Sequence, residues 1–143
     1  MKYKYTAVIL ILPMIFFLLY SYRFHDHFPT QKDSMIVLHS TTSVFEDHYI
    51  QNLTIVLNQR DITDYESCAH EIIQHCMDND FPETVFSYDT LGYPAGIRAS
   101  VYEISSDVSN HNPLFQFFYT QDTIHLPEYN ICDHPEMFQL TIY

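Results

Sequence analysis

The stretch TDYESCAHEIIQHCMDN, residues 63–79, decides the fold of this chain because its spacing is that of one buried helix face. Apolar side chains recur three and four residues apart, which places them along one side of an α-helix. Polar side chains occupy the opposite side. The sequence therefore predicts an amphipathic helix over about residues 63–79, packed on the rest of a domain. The apolar positions are Tyr65, Cys68, Ala69, Ile72, Ile73, Cys76 and Met77.

The ends of this helix are also marked in the sequence. Thr63 is a favourable N-cap, and Glu66 three residues later completes a capping box. Asn79 can adopt the left-handed conformation that often follows the last helical turn. Pro82 prevents the helix from continuing, because proline lacks the backbone N–H that a helix interior requires.

Strand patterns flank the helix on both sides. An alternation of apolar and polar residues, or a short β-branched run, predicts each strand. Residues 40–51 have no clear pattern, and residues 92–96 predict a turn between two strands. The predicted strands cover residues 35–39, 53–57, 84–88, 97–104, 114–120 and a last segment with Phe138, Leu140 and Ile142.

These elements predict an α+β fold in a single domain over residues 35–143. Short connections between neighbouring strands favour antiparallel pairing, because a parallel pair needs a long crossover. One helix packed on one face of an antiparallel sheet, with a β-α-β-β-β core, would bury the apolar sides of both.

Residues 1–24 predict a signal-anchor that spans a membrane once. No charged residue interrupts residues 6–20, and residues 5–22 as a helix reach roughly 27 Å, close to the ~30 Å of a bilayer core. Lys2 and Lys4 precede this stretch, so the positive-inside rule places the N-terminus in the cytoplasm. We expect a polar stalk over residues 25–34 and an extracytoplasmic domain over residues 35–143.

A cleaved signal peptide is the alternative for the same segment, and it would make the domain a secreted one. A basic start and an apolar core of about 15 residues suit a signal peptide. However, the flank over residues 18–23 reads LLYSYR and lacks the small residues of a cleavage site. The uncleaved anchor at the cell membrane is therefore the favoured prediction.

The charge of the chain excludes some partners. The formal net charge is −12, with 18 acidic residues against 6 lysines and arginines. After residue 25 only Lys32, Arg60 and Arg98 offset the acidic residues. Such a charge opposes binding to nucleic acid or to an anionic lipid surface. The expected partners are the membrane, through residues 5–22, and another surface protein.

The three cysteines do not form a disulfide framework. Cys68 and Cys76 lie about 12 Å apart along the predicted helix, too far for a disulfide. Both fall on its apolar side, where a thiol behaves as a small apolar group. Cys132 lies in a loop, and two states stay open for it: a free thiol, or a bridge to one helix cysteine.

Two site hypotheses use the few residues with suitable chemistry. His25, His27, Cys132 and His134 form two short pairs that could bind a divalent metal such as zinc. Cys132 and His134 could alternatively serve as the nucleophile and base of a small hydrolase. Neither pattern is a recognised motif, so no catalytic, cofactor or metal site is predicted.

The favoured function is therefore a non-enzymatic, protein-binding or accessory module on a membrane anchor. A divalent-metal-binding or sensing domain is the alternative. Tyrosine is favoured at protein interfaces, so Tyr93, Tyr129 and Tyr143 are the predicted contact points.

Overall fold

The computed structural model describes residues 35–58, 62–121 and 129–143. Two 3₁₀ turns, Ser105–Asp107 and Pro135–Met137, each lie before one of the last two described strands. The fold is α+β, as predicted. Its strands and α-helices within the described ranges are β1 (Ile36–Phe45), β2 (His48–Val56), α1 (Tyr65–Asp78), α2 (Tyr88–Leu91), β3 (Gly96–Tyr102), β4 (Phe115–Gln121) and β5 (Phe138–Ile142).

The five strands form one mixed sheet in the order β1-β2-β3-β4-β5. β2 and β3 run parallel, with Leu53 opposite Ala99, and the other neighbours are antiparallel. The prediction of a wholly antiparallel sheet is therefore wrong. The reason is that α1 joins β2 directly to β3, and a strand–helix–strand crossover returns the chain in the same direction.

The strand predicted over residues 84–88 does not form. Residues 84–87 are a loop, and α2 begins at Tyr88. The backbone N–H and C=O groups of Phe86 are both hydrogen-bonded to the side chain of Asn79, and not to a neighbouring strand. The turn over residues 92–96 thus joins α2 to β3, not one strand to another, and Gly92 adopts a positive φ of 72° in it.

The segment without a sequence pattern, residues 40–51, is the centre of a β-hairpin. β1 and β2 pair along their length, and the two-residue turn Glu46-Asp47 joins Phe45 to His48. Glu46 has a φ of 52°, the left-handed conformation that tight hairpins require. The register shifts between Val37 and His39.

The helix is confirmed, with one correction at its start. The N-cap is Asp64, whose carboxylate accepts a hydrogen bond of 2.9 Å from the Ser67 N–H, and not Thr63. Both residue types are good N-caps, so sequence alone did not distinguish neighbouring positions. Asn79 is left-handed, with φ 54° and ψ 43°, as predicted.

The core lies between α1 and one face of the sheet. Tyr65 of α1 stacks on Phe115 of β4, with ring centroids 4.8 Å apart. Alternate residues along β3 and β4 are buried, so each of these strands turns one side toward the core. The fully buried or nearly buried side chains include Leu53, Ile55, Ile72, Ile73, Cys76, Ile97, Ala99, Val101, Phe115, Phe117 and Ile131.

Two predictions concern the N-terminal part of the chain. The membrane segment over residues 5–22 and the stalk over residues 25–34 lie outside the described residues. Within the described ranges, no helix has the length and apolar character needed to cross a membrane.

Candidate functional site

The sheet has a second face, turned away from α1, which we name the outer face. Register and alternation place mainly polar side chains there in rows across the strands. Most of these side chains are exposed or half-buried. The residues that define the outer face are Thr41, Ser43, Asn52, Thr54, Arg98, Ser100, Gln116, Phe118, Thr120 and Thr141.

Arg98 lies at the middle of the outer face, on the central strand β3. In the register of the sheet it is flanked by Asn52 of β2 and Phe118 of β4. Its guanidinium carbon is 4.7 Å from the centroid of the Phe118 ring, a cation–π contact. The Phe118 ring meets the Tyr143 ring edge-on, with centroids 5.2 Å apart. A planar cation and two aromatic rings therefore form one exposed cluster.

Hydrogen bonds between neighbouring strands fix the polar side chains around this cluster. The Gln116 amide donates to the Ser100 hydroxyl at 2.8 Å, and the Asn52 amide donates to the Ser43 hydroxyl at 2.9 Å. Side chains that already hold their orientation lose less conformational entropy when a partner binds. The outer face is thus a pre-organised surface.

The outer face is also free of acidic groups in an acidic chain. None of the five strands contains an aspartate or glutamate. In the described part of the chain, the acidic residues lie on α1 and α2, in the loops and 3₁₀ turns, and at the hairpin turn. Arg98 is the only lysine or arginine in that part. The ion pairs found among the described residues all involve histidines and none includes Arg98. The guanidinium is therefore available to an anionic group from outside.

The sequence prediction missed this cluster. Arg98, Ser100 and Phe118 occupy alternate, non-core positions of strands that were correctly predicted. The scarcity of cations after residue 25 was visible in the sequence too. The register that brings Arg98 beside Phe118 was not, because it depends on pairing between strands.

The Cys132–His134 loop gives its thiol and its imidazole separate partners. The Asn130 side-chain oxygen accepts hydrogen bonds from the N–H groups of Cys132 and Asp133, at 3.0 and 2.9 Å. The Cys132 thiol faces the carbonyl of Met77 at 3.7 Å. His134 instead packs edge-on against Tyr129, with ring centroids 4.6 Å apart.

This geometry does not resemble an activated cysteine. Reactive thiols are usually found at helix N-termini or beside a cation. Cys132 instead lies at the C-terminal end of α1, where backbone carbonyls with partial negative charge face it. The Nδ1 atom of His134 lies 3.4 Å from a Glu136 carboxylate oxygen. The hydrolase hypothesis therefore has no geometric support at this loop.

The metal hypothesis concerns two pairs of residues, of which one, Cys132 and His134, lies in the described domain. His25 and His27 lie outside the described residues. Among the residues with described positions, no group of three or more histidine, cysteine, aspartate or glutamate side chains is arranged to bind a metal ion. Cys132 and His134 thus do not recruit further ligands from the described domain.

All three thiols are free, and the two on α1 are buried as predicted. Burial raises the pKa of Cys68 to about 11, with smaller contributions from the Glu71 and Asp64 carboxylates. Burial raises the pKa of Cys76 still further. The two helix thiols therefore stay protonated at neutral pH and act as core side chains.

Tyr88 adds a buried phenol beside the Cys76 thiol. Burial raises its pKa, and the neighbouring Cys76, Tyr49 and Tyr93 groups raise it further. Its hydroxyl oxygen has no hydrogen-bond partner among the described residues. The phenol thus stays neutral, and the ring packs 5.4 Å from that of Phe86.

The three tyrosines predicted as contact points do not share one surface. Tyr93 packs on Tyr88 with ring centroids 4.7 Å apart, and a hydrogen bond to Cys132 raises its pKa. Tyr129 is half-buried beside His134. Tyr143 alone lies in the Arg98 cluster of the outer face. Of the three tyrosines predicted as contact points, Tyr143 is therefore the one that belongs to the candidate site.

A cavity of about 50 Å³ beside the hairpin is too small to be a ligand site. Small-molecule sites usually enclose roughly 300–1,000 Å³. Its walls include Phe45, Ile50 and Thr120. The outer face around Arg98 is the candidate functional site, and it is an open surface suited to a macromolecule.

No protein-family model, curated protein or solved structure matches the chain.

Proposed function

We propose that this chain is a non-enzymatic, single-pass membrane protein whose acidic domain binds another protein outside the membrane. The Arg98 cluster of the outer face is the observation on which the binding surface rests. The apolar segment over residues 5–22 and the lysines before it support the anchor and its orientation.

The chemistry of the outer face favours a partner that presents a carboxylate next to apolar surface. A guanidinium offers a planar fork of donors that matches a carboxylate. Phe118 and Tyr143 beside it provide aromatic contact area, which is typical of the residues that dominate binding energies. Charges separated by more than a Debye length of ~8 Å are largely screened, so acidic groups on α1 do not prevent this approach.

Photo-crosslinking in intact cells tests the proposal with a matched pair of glutamines. Gln116 lies on the outer face and Gln74 on the exposed side of α1, and each donates one hydrogen bond of 2.8 Å to a neighbouring side chain. A photoreactive amino acid replaces either residue in the full chain. We expect a discrete protein adduct from position 116 and none of that mass from position 74.

The dependence on Arg98 makes the test specific. Arg98→Glu should reduce the yield of the adduct from position 116 at least tenfold, because it places a negative charge where the partner's carboxylate binds. Arg98→Lys should retain part of the yield, since it keeps the charge and loses the planar fork. An adduct of equal yield in the Arg98→Glu chain would contradict the proposal.

A further inference from the structure

The free edge of the sheet at β1 is a second surface that the proposed function does not use. Within the described ranges, β1 pairs with β2 on one side only, so its other side presents unpaired backbone N–H and C=O groups. Exposed strand edges of this kind are templates for pairing with another strand. At ten residues, β1 is twice as long as β5, the five-residue strand at the opposite edge.

The sequence of β1 lacks the residues that usually protect an edge. Ile36–Phe45 reads IVLHSTTSVF, without lysine, arginine, aspartate, glutamate or proline. The register shift between Val37 and His39 is its single irregularity, and the seven residues from His39 to Phe45 pair regularly with β2. Two large apolar side chains near its end are well exposed, Val44 at 69% and Phe45 at 55%.

The charge of the chain limits which molecule can pair with the free edge of β1. Two copies of a chain with a net charge of −12 repel each other, so a contact between them requires a surface without acidic groups. β1 is such a surface, and it is compatible with its own copy because its Thr and Ser side chains are neutral. An outside partner with a formal charge would find no carboxylate, ammonium or guanidinium group on β1.

The hairpin turn determines the direction of pairing. Glu46 and Asp47 follow β1 directly. In a parallel pair of β1 strands, these acidic turns would lie side by side. In an antiparallel pair they lie at opposite ends, roughly 23 Å apart over seven residues, which exceeds a Debye length of ~8 Å. Antiparallel pairing also gives a closed two-fold dimer.

We propose that two copies of this chain associate through antiparallel pairing of their β1 strands. The two five-stranded sheets then continue into one sheet across the two-fold axis. The outer faces of both copies stay open in this arrangement, so the dimer and the partner-binding surface are independent.

Sedimentation of the purified full chain in detergent micelles tests the dimer. We expect the wild-type chain to sediment as a dimer, and Thr42→Glu to weaken the association at least tenfold by placing two carboxylates across the axis. Thr141→Glu is the matched control, because it adds the same charge to an exposed threonine of the opposite edge strand. That variant should remain dimeric. Circular dichroism confirms that both variants are folded.

A disulfide reporter tests the direction of the strands. Phe45→Cys should not form an interchain disulfide with itself, because antiparallel pairing separates the two hairpin turns. A wild-type monomer would overturn the proposal, as would a dimer that Thr42→Glu leaves intact, since the anchor or another surface would then hold it. Efficient self-linkage of Phe45→Cys would overturn the antiparallel arrangement.

Discussion

Asn79 and Phe86 are joined by two hydrogen bonds between one side chain and one backbone unit. The Asn79 amide nitrogen donates to the Phe86 carbonyl at 2.8 Å, and its amide oxygen accepts from the Phe86 N–H at 2.7 Å. Asn79 also ends α1 in the left-handed conformation. One residue therefore ends the helix and fixes the loop that follows it.

Two substitutions of Asn79 separate its two roles. Asn79→Gly should lower the free energy of unfolding by about 1–3 kcal/mol, because two hydrogen bonds are lost while the left-handed backbone stays accessible. Asn79→Ala should cost about 1 kcal/mol more, since a Cβ disfavours that conformation. Urea unfolding of the full chain in detergent, followed by circular dichroism, gives both values. Equal losses would contradict the role of the left-handed backbone.

The same pair of residues explains why the strand over residues 84–88 was predicted wrongly. Thr84, Val85 and Phe86 have high strand propensity, and the prediction rested on this local property alone. Val85 is 80% exposed, and the backbone of Phe86 is already bonded to a residue seven positions earlier. This contact depends on the position of the helix end, which no local pattern contains.

The error in strand direction followed from that misassignment. With a strand placed between the helix and residues 97–104, the strands predicted after the helix were joined to one another by short connections, which favours antiparallel pairing. Once the strand is removed, α1 becomes the crossover between β2 and β3. The second half of β1, residues 40–45, was equally hard to predict, because an edge strand with most side chains exposed has no apolar alternation.

The helix and strands that were predicted correctly are those that bury one side only. α1, β3, β4 and β5 each bury alternate or periodic positions against a single core, so their apolar residues recur with the period of the element. The candidate site is different. Arg98, Phe118 and Tyr143 come from three parts of the chain and meet because of the strand register. The pattern of polar and apolar residues within one segment does not predict that register.

The start of α1 gives a prediction that distinguishes two adjacent residues. Asp64→Ala should lower the free energy of unfolding by about 1 kcal/mol, because the Ser67 N–H loses its acceptor. Thr63→Ala should change it by less than about 0.5 kcal/mol, as expected for an exposed residue outside such a contact. Urea unfolding compares the two variants. A larger loss for Thr63→Ala would mean that Thr63 is the N-cap after all.

Gly96 is predicted to be more sensitive to substitution than Gly92. A Cβ at Gly96 would lie 3.0 Å from the Thr120 methyl group and 3.2 Å from the Tyr119 carbonyl oxygen. Gly96→Ala should therefore destabilise the domain by about 1–3 kcal/mol through overpacking. In a Thr120→Ser background the loss should be smaller, because the methyl group is gone.

The control for this prediction is Gly92→Ala. Nothing lies within 4 Å of a Cβ at Gly92, so its cost of about 1–2 kcal/mol would come from the positive φ of 72° alone. Replacing Thr120 by serine should therefore leave that cost unchanged. Thermal unfolding of the three single and two double variants decides whether the Gly96 effect is steric. The same loss at Gly96 in both backgrounds would rule that out.

Because two thiols are buried in the core, we expect the domain to lose stability at alkaline pH. Burial raises the pKa of Cys76 well above that of an ordinary thiol, and it raises the pKa of Cys68 to about 11. Above pH 9 the unfolded chain releases these protons while the folded chain retains them, so the folded state binds more protons. The free energy of unfolding should thus fall as the pH rises above 9, by at most about 1.4 kcal/mol per pH unit and thiol.

Cys76→Ala isolates the contribution of the most deeply buried thiol. The substitution should lower stability at pH 7 because it leaves a small cavity, yet make the decline between pH 9 and 11 shallower. Tyr88 keeps its own alkaline contribution in both chains, since burial raises its pKa as well. Urea unfolding at several pH values measures the two slopes. Parallel slopes would show that Cys76 does not ionise on unfolding in this range.

The predicted topology can be tested with trypsin, because cleavage sites are few. Lys32 is the last lysine or arginine before the domain, and it lies in the predicted stalk over residues 25–34. If residues 5–22 anchor the chain with its C-terminus outside, trypsin added to intact cells should release a fragment beginning at Asp33. Lys32→Gln should abolish that product without changing expression.

Mass spectrometry of the untreated chain completes this experiment, because cleavage and anchoring predict different masses. A full-length mass together with release by trypsin would establish the anchored, outward-facing form, since only an uncleaved chain retains residues 5–22. A mass that lacks about the first 21 residues, with the domain found in the medium, would establish the secreted alternative. A full-length chain that trypsin reaches only after lysis would place the domain inside, and the search for partners outside the membrane would then be mistaken.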